Sequence, residues 1–234
     1  MLDAGQVING KYRIVRCLGE GGMGAVYEAV HTAIGRRVAI KVVRASSPKR
    51  QPEALERFRR EAVLAGRIET QHIAQILDTG LDKQTNLPFI VMEYVTGKDL
   101  SRLIAELGTI PYDLTLRIAA QALLGLSKAH NANVIHRDIK PANMMLAVGD
   151  AGDVTVKILD FGIAKIKEEP FSDSQSGLTR TGDLVGSLDY LSPEQAVGSK
   201  HIDHRTDLWS LGVVIYESLS GHTPHYQHDN PGRR

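Results

Sequence analysis

The chain has 234 residues, 42% hydrophobic and 24% charged, a globular composition with enough apolar side chains for one large or two small domains. Twenty-eight Lys and Arg against 27 Asp and Glu leave a formal net charge of +1, so no global field draws it to nucleic acid or an anionic membrane. One cysteine, Cys17, excludes an internal disulfide, and no apolar run spans a bilayer or follows a basic N-terminal leader, which points to a soluble cytoplasmic domain.

From Tyr12 to Ala29 apolar and polar residues alternate around Gly19, Gly21, Gly22 and Gly24, the pattern of strand, tight glycine turn and strand. Glycines lack a Cβ, so backbone N–H groups can approach phosphate oxygens. The Gly19-x-Gly21-x-x-Gly24 spacing also occurs in dinucleotide-binding domains, but there it opens a helix, whereas Ala25-Val26-Tyr27-Glu28 continues as strand. Val38 to Val43 reads as a third strand with Lys41 inside an apolar run. Such a lysine either meets anions or snorkels to water from a sheet edge. Pro52 to Arg67 has the apolar spacing of an amphipathic helix and carries Glu61. Ile73 to Gly80 and Phe89 to Tyr94 read as two more strands, and after Val95 the pattern turns helical at Leu100.

Asp113 to His130 forms a long apolar stripe, a helix that leads through Val134-Ile135 into His136-Arg137-Asp138-Ile139-Lys140-Pro141-Ala142-Asn143. Here an acid, cations and an amide sit between two apolar anchors. Asp138 can accept a proton, Lys140 can neutralise an anion, and Asn143 can offer a hard oxygen. Ile158-Leu159-Asp160-Phe161-Gly162 adds a second carboxylate at the end of an apolar strand. Two oxygen ligands beside an ammonium suit Mg²⁺ and phosphate rather than zinc. Lys167 to Asp183 is a long polar stretch, of the kind that carries function inside a compact domain. His201, His204, His222, His225 and His228 lack cysteine or carboxylate partners at ligand spacing and read as solvated.

Taken in order, the glycine hairpin, Lys41, the His136–Asn143 loop, Asp160-Phe161-Gly162 and Ser192-Pro193-Glu194 resemble the protein kinases. Lys140 two places after Asp138, Gly22-Met23-Gly24 and Ser192-Pro193-Glu194-Gln195-Ala196 resemble the eukaryotic-like serine/threonine kinases of bacteria. The resemblance runs over residues 8–226 and implies an α+β, two-lobed fold. Residues 1–95 would be the small lobe, a five-stranded antiparallel sheet with one regulatory helix and the hinge at 92–97. Residues 96–224 would be a partial, mainly helical large lobe lacking its last helices, and 225–234 a polar tail.

The same resemblance assigns roles. Lys41, paired with Glu61, would hold the α- and β-phosphates of ATP. The backbone of Glu93 and Val95 would meet the adenine edge, Met92 would close the back of the pocket, and Asp99 would reach the ribose. Leu18, Val26, Ala39 and Met145 would supply apolar faces, with Gly19, Gly21 and Gly24 over the phosphates. Asn143 and Asp160 would hold Mg²⁺, with Mn²⁺ as an alternative, while Asp138 deprotonates the substrate hydroxyl and Lys140 steadies the γ-phosphate. Thr179 and Thr181 are the implied phosphate acceptors of the activation segment, and a phosphothreonine there would pair with Arg137. Ser187 would touch Asp138 and Lys140. Asp207 would cap the central helix and hold the catalytic-loop backbone.

Implied partners are ATP and proteins bearing serine or threonine, in signal transduction. A homodimer for trans-autophosphorylation and a membrane tether in a longer form are further implications. Without helices after Pro224, Glu194 is expected to be a buried carboxylate lacking its arginine, and the central helix to show Val213, Val214 and Leu219. Two other readings stay open: a catalytically impaired kinase-like module that binds nucleotide or a partner, and a small-molecule phosphotransferase. The intact Lys41, Asp138 and Asp160 disfavour the first, and the long segment with paired threonines disfavours the second.

Overall fold

A computed structural model describes residues 2–21, 24–43, 59–60, 62–149, 152–160, 188–199 and 201–224. Six antiparallel strands, β1 (Val7–Ile8), β2 (Tyr12–Gly21), β3 (Gly24–His31), β4 (Arg37–Val43), β5 (Ile76–Leu81) and β6 (Pro88–Glu93), pair in the order β1-β2-β3-β4-β6-β5. The sheet therefore has one strand more than the five expected. The addition, Val7–Ile8, is too short for periodicity; its signal is the Asn9-Gly10 turn, with positive φ at both residues, that folds it onto Tyr12 and Arg13.

Strands β4 and β6 send alternate side chains into two cores. Val38, Ile40 and Val42 join Phe89 and Val91 with Ile8, Ile14 and Tyr27 on the outer face. Ala39, Ile90 and Met92 face inward and share a core with Ala62, Ala65, Leu100, Leu126, Ile158 and Val214. This period-two division fixes the face on which Lys41, between Ile40 and Val42, emerges. Ala62 and Ala65 belong to α1 (helical at residues 59–60 and 62–66), the one stretch of the expected helix that is described.

A second sheet, β7 (Gly97–Asp99), β8 (Met144–Val148) and β9 (Val154–Ile158), lies beside α2 (Leu100–Leu107) and α3 (Tyr112–Asn131). Gln121 of α3 closes the edge of β9: its Oε1 accepts from Val156 N at 2.8 Å and its Nε2 donates to Val154 O at 3.1 Å. Ile73, expected to begin β5, instead pairs with Ile158; Ile158 N donates to His72 O and Ala74 N to Ile158 O, both at 2.9 Å. Residues 72–74 thus tie the first sheet's chain to the strand that precedes Asp160. Further along come α4 (Pro193–Ala196) and α5 (Arg205–Ser220). Among the described residues no helix is long and apolar enough to cross a membrane.

Three expectations about this last part are corrected. Asp207 does not cap α5; it lies in the first turn of the helix, fully buried, while Asp203 Oδ1 accepts from Arg205 N at 2.9 Å at the start. Val213 and Val214 are buried, because the helical phase turns them inward. The outward stripe consists of Leu208, Trp209, Tyr216 and Leu219, the last as expected. Glu194 is only half-buried, so no carboxylate is sealed away from water there.

Candidate active site

The loop after α3 has no ladder of its own, and side chains from elsewhere hold its backbone. The buried Asp207 carboxylate accepts from His136 N at 2.9 Å and His130 Nε2 at 2.8 Å through Oδ2, and from Arg137 N at 2.8 Å through Oδ1. Three donors on one buried carboxylate satisfy the acceptors that burial would otherwise strand. Arg137 has φ +64°, a left-handed conformation that turns the chain sharply before Asp138.

His136 is wholly buried. Its Nδ1 accepts from Asp138 N at 3.2 Å, so Nε2 carries the proton and donates to Leu159 O at 2.7 Å. Burial pushes the imidazole pKa down, against the pull of Asp207, the Leu159 carbonyl, Asp138 and Asp160, and keeps the ring neutral. One ring thereby joins the loop carrying Asp138 to the chain carrying Asp160.

The candidate reactive groups lie around that joint. Lys140 Nζ is 3.3 Å from Asp138 Oδ2. Asn143 Nδ2 donates to Asp138 O at 2.8 Å and to Asp138 Oδ2 at 3.1 Å. Leu159 N donates to Asn143 O at 2.8 Å, and Met144 pairs with Ile158, which sets Asn143 beside Asp160. Asp160, at φ +54°, places Oδ2 3.0 Å from Lys41 Nζ of β4. Two carboxylate–ammonium pairs from three distant segments therefore meet in one place. The pairing of Lys41 with Glu61 lies outside the described residues, as do Thr179, Thr181 and Ser187.

Gly24 has φ +146°, and a Cβ there would fall 2.0 Å from Val42 O; at Gly19 a Cβ would meet nothing within 4 Å. Gly24 is demanded by the hairpin's close approach to β4, whereas Gly19 is not demanded by packing. Gly21 pairs with Gly24 across the hairpin. Ala39 and Met92 are buried; Leu18, Val26 and Met145 are half-buried apolar residues of the two sheets, and Val95 is half-buried in the link between β6 and β7.

At the crossing between sheets, Glu93 Oε1 accepts from Lys157 Nζ at 2.6 Å and from Gln75 N at 3.1 Å. Tyr94 lies under the Arg37 guanidinium, 4.1 Å from the ring centroid, and its hydroxyl accepts from Arg16 at 3.3 Å. Asp99 caps α2, accepting from Arg102 N at 3.0 Å and Ser101 Oγ at 2.5 Å.

A protein kinase domain family matches residues 12–233. The chain belongs to the protein kinase family. This kinase domain is 44% identical over 232 residues, 98% of its length, to a probable serine/threonine-protein kinase pknA2 of Bifidobacterium longum, of which it covers 29%. It is 40% identical over 220 residues to the serine/threonine-protein kinase pkn3 of Myxococcus xanthus, covering 94% of this chain and 39% of that one. It is also similar to the kinase domain of Mycobacterium tuberculosis PknI, with TM-score 0.70 and 30% identity over 96% of this chain and 79% of that one. The kinase domain thus spans about a third of the length of the curated relatives it matches.

Several functional-looking residues of this kinase domain carry no signal in the sequence: His130, Lys157, Arg16, Arg37 and Gln195. Their partners lie 9 to 78 residues away, or sit in loops, so no local period marks them.

Proposed function

We propose that this kinase domain transfers the γ-phosphoryl group of ATP to serine and threonine hydroxyls of proteins, in signal transduction, with Mg²⁺ or Mn²⁺. The observation that carries this reading is the meeting of Lys41–Asp160 with the Asp138–Lys140–Asn143 cluster. Residues 1–95 and 96–224 are read as the two lobes, with ATP between them against Leu18, Val26, Ala39, Met92, Val95 and Met145.

The donor set fits a divalent hard cation. Among the described residues no three His, Cys, Asp or Glu side chains form a metal cage. Asp160 and Asn143 are an incomplete oxygen set, the arrangement expected where phosphate oxygens complete the shell of Mg²⁺. Asn143 commits its amide nitrogen to Asp138, which leaves the carbonyl end as the ligand. Such an ion supplies charge neutralisation at the phosphate oxygens. Lys41 neutralises the phosphates on the first sheet's side. Asp138, its carboxylate oriented by Asn143 and Lys140, accepts the hydroxyl proton, and Lys140 lies at hand for the charge on the transferred group.

Autophosphorylation at Thr179 or Thr181 is part of this reading. It is supported by Arg137, whose Nε is the buried side-chain nitrogen without a hydrogen-bond partner among the described residues. A phosphothreonine would satisfy that donor. A homodimer for trans-phosphorylation and a cytoplasmic setting, with a tether in a longer form, go with it.

The test is to incubate the purified chain and its Asp138→Asn variant with labelled ATP, Mg²⁺ and a generic protein acceptor. The expected result is label on the acceptor or on Thr179 or Thr181 with the wild type, at least ~100-fold less with the variant, and nucleotide binding by both. Near-normal transfer by Asp138→Asn overturns the assignment. Binding without transfer by the wild type would mark a nucleotide-binding module instead.

A further inference from the structure

The peptide group that joins Arg137 to Asp138 is gripped at both ends. Its N–H, on Asp138, donates to His136 Nδ1 at 3.2 Å. Its carbonyl, on Arg137, accepts from Gln195 Nε2 at 3.0 Å, across 58 residues of chain. The preceding peptide is held as well, because Arg137 N donates to Asp207 Oδ1 at 2.8 Å. A left-handed residue at φ +64° can relax by rotating the peptides on either side of it, and these bonds oppose that rotation.

The orientation of the Gln195 amide follows from its other contacts. Gln195 is the third residue of α4 and takes part in a capping box: Ser192 Oγ accepts from Gln195 N at 3.4 Å, and Ser192 N donates to Gln195 Oε1 at 3.1 Å. The oxygen end must face the Ser192 N–H, so the nitrogen end faces Arg137 O. A residue needed only to complete the box could be glutamate, which accepts equally well. Only the amide both accepts at Ser192 and donates to the loop.

We propose that Gln195 is a positioning residue for phosphoryl transfer: by holding the Arg137–Asp138 peptide plane it aims the Asp138 carboxylate, and it ties that aim to the packing of α4. The inference rests on the reading of Asp138 as the proton acceptor. It makes α4 part of the catalytic loop's support, alongside Asp207 of α5.

The substitution Gln195→Glu separates the two roles, since the carboxylate preserves the capping box and removes the donor, setting oxygen against oxygen. In the full chain it is expected to lower kcat for protein phosphorylation about 10-fold, the equivalent of one hydrogen bond, and to leave the KM for ATP unchanged. Amide hydrogen exchange over residues 134–140 should quicken, while exchange over 116–126 of α3 stays as in wild type. Ser192→Ala breaks the box and keeps the donor, so it should lower the melting temperature and keep kcat. Wild-type kcat in Gln195→Glu overturns the proposal, and so does an equal fall of kcat in Ser192→Ala. If the wild-type chain transfers no phosphate, the kinase reading itself fails; unchanged exchange over 134–140 in Gln195→Glu would still refute the grip on the loop.

Discussion

Lys41 and Asp138 reach the same site by opposite means. Lys41 sits in the middle of β4, in register with Val26 on one side and Ile90 on the other, so repeated ladder bonds fix its backbone. Asp138 sits in a loop whose backbone is fixed by single side chains from far away: Asp207, 70 and 71 residues on, Gln195, and the neighbouring His136. A ladder shares its load among many equivalent bonds, whereas the loop concentrates it on a few. Damage to the sheet should therefore cost activity through the altered side chain alone, and damage to the loop's supports should cost fold and activity together.

The largest effect is expected at Asp207. In Asp207→Ala two buried backbone N–H groups and the His130 ring lose their acceptor at once. Loss of such a network is worth about 3–5 kcal/mol, and phosphoryl transfer should vanish with it. Denaturant unfolding measures the first and labelled ATP the second. Lys41→Ala is the matching cut on the sheet side: transfer falls ~100-fold, or about 3 kcal/mol, while the melting transition barely moves. If Lys41→Ala unfolds the chain as readily as Asp207→Ala, the contrast between the two regions is wrong.

Within the sheet, the hairpin offers a finer cut. Gly24→Ala forces a Cβ against Val42 O at a backbone φ of +146°, a strain of roughly 1–3 kcal/mol, and should lower the melting temperature. Gly19→Ala meets nothing within 4 Å and should leave it unchanged. Equal melting of the two variants would mean that the hairpin is not held against β4 as the register requires.

The same division explains what could be read from the sequence. Strands β2, β3, β4 and β6 were legible because alternation writes itself into consecutive residues, and Lys41 stood out as the one charge in such a run. Asp138, Asn143 and Asp160 were legible only as an ordered set of motifs. What stays hidden is what acts at a distance: the resemblance implies that Asp207 holds the loop backbone, but no local pattern shows that His130 shares the same carboxylate, or that Asp207 lies inside the helix instead of capping it. Val213 and Val214 are expected on the exposed face of α5 because further helices normally cover them in the family; helical phase, which that resemblance does not supply, turns them inward instead. The edge strand Val7–Ile8 was too short to show either.

Acid should take the two regions apart in sequence. His136 and Glu28 are both buried, and both have pKa values below their ordinary ones, 6.5 and 4.5, so each stabilises the fold above that value and withdraws its support as pH falls. For His136 the cause is burial, opposed by Asp207, Asp138 and Asp160; protonation would also destroy the Nδ1 acceptor of Asp138 N. For Glu28 burial pushes upward, but hydrogen bonds from Arg37 and Arg16 outweigh it. Between neutrality and pH ~5 the loop should therefore weaken while the sheet's Glu28 cluster keeps its full contribution. Amide exchange at residues 134–140 is expected to quicken below pH ~6.5, after correction for the intrinsic rate, with β2 and β3 unaffected until pH falls below ~4.5. Simultaneous loss of protection in both regions would show that loop and sheet open as one unit, and that the contrast in how they are held has no counterpart in how they come apart.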